Sequence, residues 1–179
     1  SLAIAEPANE LRQRVVEPLD GARGSEVFEI LGTRLRTQFS NNIRNNFGFL
    51  NPSEQPQRSE FDRLFRQEGR KVFKEVVPFA SELIVEHLGS VGVAPGALRR
   101  LWLHQANLSM NHLIVRKLLG REATEEEAPV ILDRYANTSS AGSVIAFHSY
   151  QDDLPSGSLA VLSSFGAGYS IGSVILRTR

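Results

Sequence analysis

The chain has no cysteine, one methionine and one tryptophan. Without cysteine, these 179 residues can hold no disulfide, no thiolate metal site and no cysteine nucleophile. Net charge is also lacking, because Lys plus Arg and Asp plus Glu each number 20. No global field therefore draws the chain to nucleic acid, and none is expected as a partner. Nowhere do apolar residues approach the run of ~20 needed to cross a bilayer, so no membrane span is expected. The opening Ser1-Leu2-Ala3-Ile4-Ala5-Glu6-Pro7 lacks the basic leader of a signal peptide. His87, His112 and His148 have no ligand partners at metal-binding spacing, so no metal is expected. Neither a Walker-type phosphate loop nor a dinucleotide-binding glycine motif occurs. A cytoplasmic location fits these absences.

What is present is ordinary for a globular domain, with 41% apolar and 22% charged residues. The length suits one domain, or one half of a two-domain protein. Leu2-Ala3-Ile4-Ala5 reads as a short apolar strand at the very start, with no initiator Met. That reading makes residues 1–179 the C-terminal domain of a larger protein whose N-terminal half, bearing the nucleophile, is absent. A complete small domain with a processed N-terminus is the alternative.

Residues 25–35 alternate partly and read as a strand. Residues 37–60 hold Asn41-Asn42, Asn45-Asn46, Gly48, Pro52 and Pro56, which argues for a cap or entrance loop without long regular structure. Residues 61–89 carry apolar side chains at helical spacing. Pro78 inside that run should kink the helix or start a new one, and Gly89 and Gly92 should end it. Residues 98–103 read as a short buried strand. Residues 108–119 read as an amphipathic helix, capped by Asn107 or Ser109 and stopped by Gly120. Thr124-Glu125-Glu126-Glu127 resembles a helical turn. Residues 139–151 begin small and turn apolar, as for a tightly packed helix. Residues 159–162 and 169–176 are strands around a turn at Gly166-Ala167-Gly168. This order predicts an α/β fold, a mixed sheet flanked by helices.

Four pieces carry the chemistry: His104-Gln105-Ala106-Asn107, Asn137-Thr138-Ser139-Ser140, Phe165-Gly166-Ala167-Gly168, and Gly69 with Val72-Phe73-Lys74. His104 follows an apolar strand, where α/β folds put working side chains. An imidazole can donate from one nitrogen while the other is held by a partner. Asn137 precedes a run of small residues that would let a helix start close to the site. Two side-chain donors converging on one thioester oxygen would stabilise an enolate, and a tight hairpin can offer a backbone N–H to a second oxyanion.

In this order the pieces resemble the second half of a β-ketoacyl-acyl-carrier-protein synthase III, a member of the thiolase-like superfamily. The resemblance runs from about Gly69 to the C-terminus. It implies a half-molecule normally paired with a pseudo-symmetric N-terminal half in a five-layered core. It implies decarboxylative Claisen condensation of an acyl-thioester with malonyl-acyl-carrier protein in fatty acid synthesis, with acyl-CoA as the other substrate. His104 and Asn137 would be the catalytic donors and the backbone N–H of Ala167 the second oxyanion donor. Asn107, Gly69 and Phe73 would line the pantetheine or coenzyme A tunnel. Lys74, Arg116 and Lys117 would meet the acidic carrier protein, although Ser109 stands where the family commonly has arginine. No cofactor is implied beyond coenzyme A or phosphopantetheine thioesters as substrates, and a homodimer is implied. The family usually has glycine at the place of Ala136 and at the place of Ala167. The segment Ser40–Phe47 is similar to synthases that start from medium-chain acyl groups, such as β-ketodecanoyl synthases. Two other readings stand beside this one: acyl transfer or condensation without decarboxylation, and a non-catalytic partner subunit. This chain would be inactive without the cysteine-bearing half.

Overall fold

A computed structural model describes residues 27–45 and 64–179. The apolar strand expected at residues 2–5 and most of the expected cap, residues 46–60, lie outside them. A mixed four-stranded sheet, in the order β1-β6-β5-β4, organises the described residues. Its strands are β1 (Phe28–Ser40), β4 (Leu98–Leu103), β5 (Leu159–Gly166) and β6 (Gly168–Thr178). A two-stranded ribbon of β2 (Ile43–Asn45) and β3 (Phe65–Gln67) stands apart from it. The helices are α1 (Gly69–Ser90), α2 (Leu108–Leu119), the single turn α3 (Leu132–Tyr135) and α4 (Ala141–Ser149).

Alternation along the strands divides the sheet into two apolar faces. Val161, Phe165, Ile171 and Ile175 face α1 and α2, where Val76, Leu83, Ile84, Leu88 and Ile114 complete the larger core. Trp102, Ala160 and Leu176 face the other way, against Ile131, Ala146 and Leu154. There Phe28, Trp102 and Phe147 pack edge to face, with centroids 4.9–6.1 Å apart. This second face is only partly covered. A cleft of about 640 Å³ lined by Thr33, Leu35, Val144, Leu162, Ser164 and Val174 lies open on it.

Arg100 is a buried charge in β4. Its guanidinium donates to both Asp153 carboxylate oxygens, at 2.7 and 3.0 Å, and to the Tyr150 carbonyl. The pair ties the strand to the loop after α4, and the guanidinium holds the Asp153 carboxyl below its ordinary range.

Several expectations need correction. β1 continues through Ser40, so the cap expected over 37–60 begins as strand. Its pairing with β6 from Phe28 to Ser40 supplies the backbone partners that an Arg- and Thr-rich sequence does not advertise. The helix expected from residue 61 starts at Gly69, because Phe65-Arg66-Gln67 pairs with Ile43-Arg44-Asn45 instead. A single helix also runs through Pro78 rather than restarting there. The carbonyl that Pro78 leaves unbonded is that of Lys74, an exposed residue where water can satisfy it. Thr124–Glu127 is a turn closed by reciprocal bonds, Thr124 N–H to the Glu127 carboxylate at 2.9 Å and Glu127 N–H to Thr124 Oγ1 at 3.2 Å.

Candidate active site

β4 and β5 are parallel and in register, with Leu103 opposite Ser163. Their C-terminal ends therefore reach the same edge of the sheet, His104 leaving β4 and the Gly166-Ala167 turn leaving β5. The loop before α4 meets them there. A cavity of about 380 Å³ is lined by His104, Asn137 and the Gly166-Ala167 turn, with Ile43, Phe65 and Met110 among its apolar walls. The three groups expected to act as oxyanion donors, separated by up to 63 residues in sequence, thus share one cavity.

His104 is buried, at 7% exposure, with its ring tilted against Phe165 at a centroid distance of 4.2 Å. Nδ1 lies 2.9 Å from the Ser164 hydroxyl. Burial lowers its pKa from 6.5 to about 4, so the ring is neutral at pH 7. Asn137 sits in a short Asx-type turn, where its Oδ1 accepts the Ser139 N–H at 2.9 Å. With the carbonyl oxygen anchored, the carboxamide NH₂ is the end presented as a donor.

The backbone beside Asn137 is unusual. Ala136 has φ 52° and ψ −154°, a region that belongs almost wholly to glycine, and Ser139 has φ 58°. At the hairpin the reverse holds. The positive φ falls on Gly168, at 137°, and Ala167 is spared it, so alanine there keeps its N–H without left-handed strain. Ala136→Gly is accordingly expected to raise stability by about 1 kcal/mol, the relieved strain exceeding the added freedom of the unfolded chain. A thermal melt would show a midpoint higher by roughly 3 °C.

α4 approaches the site closely because Gly142 lies against Gln105. A Cβ on Gly142 would meet Gln105 Cβ at 2.9 Å and Thr138 Oγ1 at 3.2 Å. Gln105 is fully buried and held at both ends of its amide. Nε2 donates to the Leu103 carbonyl at 2.9 Å, and Oε1 accepts the Ile131 N–H at 3.1 Å.

The other expected site residues do not line the cavity, although four of them lie within two positions in sequence of a residue that does. Asn107 adjoins the lining residue Ala106, Phe73 adjoins Val72, and Gly69 and Lys74 are two residues from Gln67 and Val72 respectively. Asn107 also caps α2, accepting the Met110 N–H at 2.9 Å. Arg116 and Lys117 are exposed on the last turn of α2, about 13 Å along the helix from Asn107. Arg116 pairs there with Glu122 at 3.3 Å. Ser164 and Gln105 are the important neighbours that reading the sequence missed. Gln105 sits inside the His104–Asn107 quartet, and Ser164 stands two residues before Gly166.

A second buried histidine, His87 on α1, has Nδ1 3.0 Å from Ser173 Oγ and its pKa lowered to about 4, by burial and then by the charge of Arg34. Both rings are neutral in the fold, whereas the unfolded chain protonates near 6.5. The unfolded state therefore binds more protons between pH 6.5 and 4. Stability is full above that window and is lost as pH falls through it. Each ring is expected to contribute on the order of 1–2 kcal/mol of loss by pH 5. Denaturant titrations at pH 7.5 and 5 should differ accordingly, and His87→Gln should remove part of the difference.

The family model of the 3-oxoacyl-[acyl-carrier-protein (ACP)] synthase III C-terminal domain matches residues 88–178. The fold is similar to a 3-oxoacyl-[acyl-carrier-protein] synthase III from Aquifex aeolicus, with a TM-score of 0.67 and 26% identity, covering 83% of this chain and 44% of that one. The architecture is thus half of a thiolase-like condensing-enzyme fold. The chain belongs to the 3-oxoacyl-[acyl-carrier-protein] synthase III family. It is 65% identical over 163 residues to a beta-ketodecanoyl-[acyl-carrier-protein] synthase of Pseudomonas aeruginosa, covering 91% of this chain and 47% of the relative. It is 36% identical over 126 residues to a beta-ketoacyl-[acyl-carrier-protein] synthase III of Oleidesulfovibrio alaskensis, covering 69% and 37% respectively. The chain spans about half the length, or less, of the relatives it matches.

Proposed function

We propose that the chain supplies the decarboxylation half of a condensing-enzyme site, and that the complete protein extends an acyl-thioester by two carbons using malonyl-acyl-carrier protein. The observation that carries this reading is the single cavity shared by His104, Asn137 and the Ala167 turn. Loss of CO₂ from the malonyl unit leaves its electron pair on the thioester as an enolate. The His104 imidazole and the Asn137 NH₂ donate to that oxygen. The carbanion attacks the acyl carbon held on a cysteine of the other half, and the Ala167 N–H receives the oxyanion before the thiolate leaves. No cofactor takes part, since coenzyme A and phosphopantetheine thioesters are the substrates themselves.

Asn107, Gly69 and Phe73, each within two positions in sequence of a lining residue, would guide the pantetheine arm, and Lys74, Arg116 and Lys117 would meet the carrier protein. The identity to a beta-ketodecanoyl-[acyl-carrier-protein] synthase favours a medium-chain acyl primer. The open cleft on the second sheet face, where Leu35 is 73% exposed, is the surface offered to the cysteine-bearing half. A homodimer in the cytoplasm belongs to the same reading. The test is to incubate the complete protein with acyl-CoA and malonyl-acyl-carrier protein and follow product and CO₂. A 3-oxoacyl product formed only with the malonyl donor is expected. Product formed without that donor would overturn the assignment.

A further inference from the structure

We propose that Ser164 is a positioning residue: its hydroxyl donates to Nδ1 of His104, which fixes the proton on Nε2 and aims that N–H into the cavity. The inference rests on the condensing role proposed for His104, but its structural part stands apart from that role. The register that sets Leu103 opposite Ser163 brings Ser164 level with His104 on the neighbouring strand. The two side chains meet at 2.9 Å. His104 lines the catalytic cavity, whereas Ser164 lines the cleft on the second sheet face, so the hydroxyl reaches the ring from a different side.

A neutral imidazole carries one proton, and a site that stabilises an enolate needs it on the nitrogen facing substrate. A serine hydroxyl can either donate or accept, and the His104 contact is the one hydrogen bond that its Oγ makes among the described residues. Donation to Nδ1 employs the hydroxyl proton and leaves Nε2 protonated. No charged group is needed, which suits a ring whose surroundings keep it neutral. Partners of this kind fix both the tautomer and the orientation of a histidine; around metal-bound histidines their loss costs about 10- to 100-fold, and a loss of that order is expected here.

The test uses the complete protein and two readouts. Imidazole nitrogen NMR of the unmutated protein should show the Nε2–H tautomer for His104, and an Nδ1–H tautomer would overturn the inference whatever the activity. Ser164→Ala should lower kcat for malonyl decarboxylation about 10- to 100-fold with KM little changed, and should mix the tautomers. Ser164→Thr, which keeps the hydroxyl, should recover most of both. An alanine variant with unchanged kcat and tautomer, or a threonine variant as impaired as alanine, would also overturn it. A protein with no malonyl decarboxylation at all but the Nε2–H tautomer in place would defeat the proposed function and leave the role of Ser164 intact.

Discussion

Replacing His104 by alanine in the complete protein is expected to lower malonyl decarboxylation by about 10²- to 10³-fold, the loss that follows removal of one preorganised oxyanion donor. In the proposed role the donor, neutral and buried, would stabilise charge that develops on the substrate without bringing a charge of its own. Asn137→Ala should fall in the same range. Asn137→Asp should be worse than alanine, because a carboxylate would face the enolate. The His104 and Asn137 variants combined should lose less than the product of the two, since on the proposed function both donors serve one oxygen. Acyl transfer to the nucleophilic cysteine should survive in both single variants, because in the proposed mechanism that step uses the hairpin N–H. Rates of malonyl-dependent CO₂ release, measured beside the acyl-transfer burst, separate these cases. Full decarboxylation by the His104 variant would remove the histidine from the mechanism.

Gly142→Val is expected to cost about 3 kcal/mol of stability and to impair the site as well. The first added carbon already lies 2.9 Å from Gln105 Cβ and 3.1 Å from its Cγ. Gln105 cannot swing aside, since its amide bonds the Leu103 carbonyl and the Ile131 N–H across two segments. The alternative is for α4 to move, and α4 carries the Asn137 loop at its start. A melting temperature lower by roughly 10 °C is expected, with decarboxylation lost in parallel even well below the melt. Gly142→Ala should lie between, because its better helix propensity, about 1 kcal/mol, offsets part of the clash. Unaltered stability in the valine variant would mean that α4 is less closely seated than the structure shows.

Much of this was legible in the sequence, and the parts that were not share a cause. β4, α2 with its Asn107 cap and Gly120 stop, and the β5–β6 hairpin all depend on local pattern. β1 beyond residue 35 does not read as strand, because Arg36 and Thr37 owe their conformation to Ile171 and Ser170 of β6, far along the chain. α1 starts later than its apolar spacing suggests for the same reason, since Phe65–Gln67 is strand only while it pairs with Ile43–Asn45. Ser164 is the clearest case. A serine in a strand means nothing until the register of a parallel neighbour sets it beside a histidine. The loop at Ala136 was flagged only through the expected glycine, and its left-handed backbone is the physical content of that departure.

The parallel pairing of β4 and β5 has an evolutionary consequence. The gap between the histidine position and the hairpin N–H is inherited from the spacing of two hydrogen-bonded strands, ~4.8 Å, and from their register. Any sequence that forms this ladder keeps that gap. Residues such as Ile43, Phe65 and Met110, which shape the cavity wall, can therefore drift without the reactive geometry being found anew. On the proposed function, substrate preference and chemical competence would then be heritable traits carried by separate sets of residues, so that a lineage could explore one while holding the other still.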